Sequence, residues 1–224
     1  SNATAVGSGA ADAATSATNL VAVGKSALGA CDDGSGNTAV GAISLASVTG
    51  GDYNVALGYA AANETTGSRN VMVGSEAGQY ATTTDDCVAV GYHALYGASG
   101  AKVTGNSNIA IGSYALDATI SGPSNVAIGH QAGTAITSAG YSILLGTGAG
   151  AVIDTQNANI AIGYQALFRD TSSGGNVAIG HGALEDQNTA SSNNVAVGYH
   201  AALNLNGGTN SVYVGYQAGG VGVI

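Results

Sequence analysis

The chain has 224 residues, of which 37 are glycine and 8% are charged, and its 4 Lys+Arg against 13 Asp+Glu leave a net charge of −9. The four cations, Lys25, Arg69, Lys102 and Arg169, are scattered, which excludes the basic footprint that nucleic acid or an anionic membrane requires. No run of about 18 apolar residues could form a spanning helix, and glycine lacks the every-third placement of collagen.

One phrase recurs along the chain. Marked by its glycine it falls at Gly7, Gly24, Gly41, Gly58, Gly74, Gly91, Gly112, Gly129, Gly146, Gly163, Gly180, Gly198 and Gly215. Nine of the twelve intervals are 17 residues, and the others are 16 (Gly58 to Gly74), 21 (Gly91 to Gly112) and 18 (Gly180 to Gly198). A period this regular identifies a repeat architecture, in which stacked turns make one continuous body.

In chain order, Ser1-Asn2-Ala3 reads as the scar of a cleaved expression tag, and residues 4–224 as a single repeat domain. The first phrase is Thr4-Ala5-Val6-Gly7; Leu20 to Leu28 follows, then the Asp32-Asp33-Gly34 loop. Turns three to six carry Asn37, Asn54, Asn70 and Cys87 four residues before their glycines. The longest interval comes next, with Tyr96, Lys102 and Asn106, and turns seven to eleven are the most uniform. The chain ends soon after Ser211-Val212-Tyr213-Val214-Gly215, without a cap, so a fragment of a longer protein is expected.

Positions three and one before the glycine are Val, Ile or Leu, with rare exceptions, and the residue between them is Ala in ten of thirteen turns, with Met72, Leu144 and Tyr213 as exceptions. Strand side chains alternate faces, so each short strand has a branched aliphatic face and an alanine face. The glycine permits a sharp corner. A second small column, exemplified by Ala27, Ala94, Ala132, Ala166 and Ala218, is expected on a second short strand after that corner. A coil of this size has one interior, so the other face of the strand would leave a long apolar stripe. Burial of that stripe against other chains is expected, and the residues do not say which face it is.

Asn37, Asn54, Asn70, Asn108, Asn125, Asn159, Asn176 and Asn194 are expected to form a structural ladder from turn to turn, as stacked amides do in cross-β structures. The residue after the glycine is Tyr or His in seven turns: Tyr59, Tyr92, His130, Tyr164, His181, Tyr199 and Tyr216. This row reads first as rings stacked at a corner, and second as a surface for sugars or a host protein. The Tyr96–Asn106 stretch is the candidate protruding loop. His93, His130, His181 and His200 lack metal-ligand companions, and the loop acids Asp32, Asp33, Asp85 and Asp86 lack the spacing of calcium-binding rolls. Cys31 and Cys87 lie more than three turns apart, roughly 15 Å at the usual strand spacing, too far for a disulfide. Phosphate loops, nucleophile elbows and zincin motifs are absent, so neither catalysis nor a cofactor is expected.

The phrase Asn-Val-Ala-Ile-Gly, with Ala three residues after the glycine, resembles the head repeats of trimeric autotransporter adhesins of the Yersinia type. Similar phrases with Gly-Tyr-Gln-Ala, as at Gly163 to Ala166, occur in phage tail fibres. The resemblance extends from Thr4 to Gly219, with Leu20, Cys87, Ser142 and Ser211 in place of the expected Asn. It implies an all-β, left-handed parallel β-roll of about thirteen 17-residue turns, three chains forming a rod on the order of 60 Å long. It also implies an extracellular, cell-surface role: attachment through a non-enzymatic homotrimeric fibre that meets a host protein or glycan, without nucleic acid, membrane insertion or cofactor. A virion tail fibre and a monomeric ice- or glycan-binding solenoid are the alternatives.

Overall fold

A computed structural model describes residues 2–99, 101–118, 120–169, 173–186, 191–205 and 207–219. Ser1 of the scar and residues 220–224 of the repeat domain lie outside the described residues. The chain divides into two compact units, Ser1–Tyr114 and Ala115–Ile224. The first holds β1 (Ala3–Val6), β2 (Leu20–Val23), β3 (Thr38–Val40), β4 (Val55–Leu57), β5 (Val71–Val73), β6 (Val88–Val90) and β7 (Ile109–Ile111). The second holds β8 (Val126–Ile128), β9 (Ile143–Leu145), β10 (Ile160–Ile162), β11 (Val177–Ile179), β12 (Val195–Val197) and β13 (Val212–Val214). Within each unit successive strands pair in parallel and in register, Val21 with Thr38 and Ile160 with Val177 for example. The fold is an all-β parallel solenoid of turns near 17 residues, and no helix occurs among the described residues.

The strands are three or four residues long, shorter than the five-residue phrase suggests. Among the described residues no second strand follows the corner. The segment after each glycine is a turn instead, with positive φ two and four residues beyond it, as at Ser26 (54°) and Leu28 (52°), or Gln165 (53°) and Leu167 (52°). Alternating right- and left-handed residues curl the backbone too tightly for extended pairing. The Ala column, Ala27, Ala94, Ala132 and Ala166 among them, is nevertheless fully buried, because it lies on the inside of that curl.

The middle residue of each strand points into the coil. Ala22, Ala39, Ala56, Ala89 and Ala110 of the first unit, and Ala127, Ala161, Ala178 and Ala196 of the second, are completely buried. The branched residues on either side of it point outward. Alanine is required inside because the left-handed leucines, Leu28, Leu45, Leu95, Leu116, Leu167 and Leu184, already fill the bore. Where a strand instead carries a large middle residue, the leucine gives way to glycine in the same turn. A Cβ on Gly78 would sit 2.5 Å from the Met72 sulfur, and one on Gly150 would sit 2.7 Å from a Leu144 methyl. In these turns a large strand residue and a large left-handed residue do not occur together, as a close-packed interior demands, while next to Ala127 the glycine at 133 makes room for Leu116 and Leu144 of the adjoining turns.

The corner glycine has no substitute. Gly163 has φ of 137°, and a Cβ there would lie 2.4 Å from the carbonyl oxygen of Gly180 on the next turn. Both the conformation and the inter-turn approach exclude any side chain.

Candidate functional site

Neighbouring turns are tied by buried amides. The Asn37 Oδ1 accepts the backbone N–H of Asn54 at 2.8 Å, and its Nδ2 donates to the Gly51 carbonyl at 2.6 Å. Asn54, Asn70, Asn125, Asn159, Asn176 and Asn194 repeat the first bond to the next turn. Asn54, Asn70, Asn125, Asn159 and Asn194 also repeat the second, to a loop carbonyl thirteen or fourteen residues ahead. Asn108 donates to Gly105. These eight side chains are fully buried, so the row is part of the framework and offers nothing to a ligand. In turn six Cys87 occupies the position, accepting the Asn108 N–H at 3.4 Å. Burial, opposed by hydrogen bonds from the Asn108 and Ser107 backbone, pushes its thiol up to about 11. Cys31 is also buried and raised by burial, and both cysteines are free.

A second ladder runs along the loops two residues earlier and was missed from the sequence. The N–H groups of Ser35, Asp52, Ser68 and Asp85 donate to the side chains of Asp52, Ser68, Asp85 and Asn106, at 2.7 to 3.0 Å. Its signal is legible in retrospect: the sixth residue before each glycine is Thr18, Ser35, Asp52, Ser68, Asp85 and Asn106 in six successive turns. Asp85 is therefore engaged, and Asp86 is paired with the Arg69 guanidinium through bonds of 2.6 and 3.0 Å. Asp32 accepts the Thr15 hydroxyl. Among the described residues no group of three His, Cys, Asp or Glu is placed to hold a metal ion.

Three surfaces remain. The first is the outward face of the strands, two ranks of Val, Ile and Leu in each unit. Among the described residues Thr4 and Thr38 are its only non-aliphatic members. It is substantially open to solvent, Val21 at 37%, Val71 at 36%, Ile128 at 40% and Ile179 at 37%. The second is the corner row. Tyr164, His181, Tyr199 and Tyr216 lie ring against ring at centroid distances of 5.0, 4.9 and 5.5 Å, while His200 flanks His181 and Tyr199 at 5.1 and 4.1 Å. Tyr59 stands between Ala42 and Ser75 of the adjoining turns and is exposed. His130 is also exposed.

The third surface surrounds the irregular turn of the first unit. His93 lies between Tyr92, at 4.0 Å, and Tyr96, at 3.9 Å. Tyr114 meets Tyr92 edge-on, and Tyr80 meets Tyr96 in the same way. The His93 Nε2 lies 2.6 Å from the Glu76 carboxylate. Loss of hydration among these rings, with Tyr80 and Glu76 close by, holds the Tyr96 hydroxyl above the usual tyrosine range. The extra residues are largely fastened down. Val103 is buried and bridges Ala81, Lys102 pairs with Glu64 at 2.7 Å, and an antiparallel bridge joins the exposed Ala98 and Ala101. The cluster is a locked plug with its ring faces used on one another.

No protein-family model, curated protein or solved structure matches this chain. No helix among the described residues is long and apolar enough to cross a membrane.

Proposed function

We propose that this chain is a non-enzymatic segment of a homotrimeric fibre at a cell surface, the head of an adhesin, with the outward aliphatic face buried between three copies and the corners and loops facing the target. The observation that carries this reading is that face. It combines two ranks of branched aliphatic side chains, repeated turn after turn, with no charge on a chain whose net charge is −9. An apolar strip of that extent is rare on soluble monomers. A second copy is the natural occupant, because it brings ranks of identical spacing and a closed symmetric assembly leaves none of them open. The left-handed, three-chain roll implied by the adhesin resemblance supplies such an arrangement. The turn-to-turn amide ladders and the mutually packed rings around His93 are framework features, and they support a mechanical role.

Light scattering coupled to size exclusion tests it. The expected mass is three times that of the 21.4 kDa chain. A variant with Ile160→Lys and Ile162→Lys, both outward positions, should run as a folded monomer with unchanged far-UV circular dichroism. A monomeric parent chain would sink the reading and leave a single-chain solenoid.

A further inference from the structure

The corner row of the second unit has a property that stacking alone does not require. Tyr164, His181, Tyr199 and Tyr216 recur once per turn at nearly constant spacing, 5.0, 4.9 and 5.5 Å, and three of them stand well clear of the surface, Tyr164 at 48%, Tyr199 at 44% and Tyr216 at 72% exposure. Position for position, the same column holds Ala42, Ser75 and Thr147 elsewhere, so the corner itself does not need a ring. The next column carries Gln165, Gly182, His200 and Gln217. Together the two columns present apolar ring edges, hydroxyls, amides and imidazoles, with no Lys, Arg, Asp or Glu among them.

We propose that this ridge binds a linear, uncharged glycan laid along the turns, one sugar unit to each ring. The proposal deepens the adhesin reading and rests on it for its biological setting. The advance per unit of an extended β-linked glycan is close to one ring-to-ring step, so a contact made at one turn is repeated at the next without strain in either partner. Tyrosine suits such a ligand at its exposed end, where the ring edge is apolar and the hydroxyl both donates to and accepts from the sugar's hydroxyls. Successive weak contacts on one polymer then add as intramolecular events. The competing polymers fit worse. A polyanion meets a chain of net charge −9 and is repelled by it. Single-stranded nucleic acid, itself a polyanion, meets the same charge and finds no Lys or Arg in either column to hold its phosphates.

The experiment titrates the intact chain with neutral β-1,4-linked oligosaccharides of glucose and of N-acetylglucosamine, from the monosaccharide to the hexasaccharide, by calorimetry, with solution mass measured in parallel. Affinity for at least one series should climb with length until the four rings are spanned. A Tyr164→Ala, Tyr199→Ala variant, which places in the column a residue that Ala42 already shows is accepted, should weaken the longest ligand by roughly tenfold or more at unchanged mass. Absence of binding in both series, affinity independent of length, or full binding by the variant would each overturn the ridge. Length-dependent binding by a chain of monomeric mass would leave the ridge standing and remove the trimer instead.

Discussion

Cys87 is the residue at which the buried ladder is weakest, and it isolates what an asparagine contributes there. Its sulfur receives the Asn108 N–H at 3.4 Å and reaches the Gly105 carbonyl at 3.5 Å, the two partners that an amide would bond at shorter range. Cys87→Asn should therefore raise stability by about 0.5–1.5 kcal/mol, read as a higher urea midpoint at unchanged m-value. A pH series adds a second signature. The folded thiol is pushed up to about 11 by burial, whereas in the unfolded chain it ionises near the ordinary ~8.5. Below that value both states hold the proton. As pH rises towards 11 the unfolded state loses it first, so the wild-type chain forfeits stability over this window. The advantage of Cys87→Asn should widen from pH 9 to 11. A constant difference would show that the thiol is not shielded. The Asn column and its turn-to-turn bonding were legible in the sequence, because a buried polar residue at fixed phase has few other uses. The loop ladder through Ser35, Asp52, Ser68 and Asp85 was not, since short polar residues in loops are also what solvation alone selects.

Within one turn the decisive quantity is volume. Met72 fills the bore where other strands carry alanine, and Gly78 in that turn replaces the leucine found at Leu28, Leu45 and Leu95. Met72→Ala should cost about 2–5 kcal/mol by leaving the bore empty. Gly78→Leu alone should also destabilise, because its Cβ would meet the Met72 sulfur at 2.5 Å. Combined, the two changes rebuild the common turn, whose leucine already adopts a φ near that of Gly78 (59°), as at Leu95 (52°). Thermal unfolding of the four species should return a large favourable coupling, with the double variant near wild type. Independent effects would mean that the two side chains do not share one space. The three exceptions in the alanine column, Met72, Leu144 and Tyr213, each have a glycine six residues later, Gly78, Gly150 and Gly219. That covariation was present in the sequence, but its meaning requires knowing that the alanine face is the inner one. Periodicity shows that a strand has two faces and cannot say which is inside. The missing second strand has a similar cause: leucine and glutamine in left-handed conformation cost about 1–2 kcal/mol each, so no propensity points to them, and stacking of turns imposes them.

For the whole assembly, charge and apolar surface make opposing demands, and their balance gives the proposed interface a distinctive salt dependence. In the proposed trimer three chains of net charge −9 would bring 3 × 9 = 27 formal negative charges together, while the outward strand face proposed to join them carries none. At low ionic strength the Debye length is about 30 Å in 0.01 M salt, long enough for the copies to repel across the interface, and it falls to about 8 Å at 0.15 M. Apolar burial is not weakened by that change. Association should therefore tighten as salt rises, and also as pH falls towards the isoelectric point near 4.4. Mass measured by light scattering on a dilute sample should move from partly dissociated towards trimeric between 0.01 M and physiological salt. An interface built on ion pairs would show the reverse slope, because screening weakens such pairs. Dissociation by added salt would thus move the contact from the aliphatic face to the loops, where Arg69, Asp86, Lys102 and Glu64 stand.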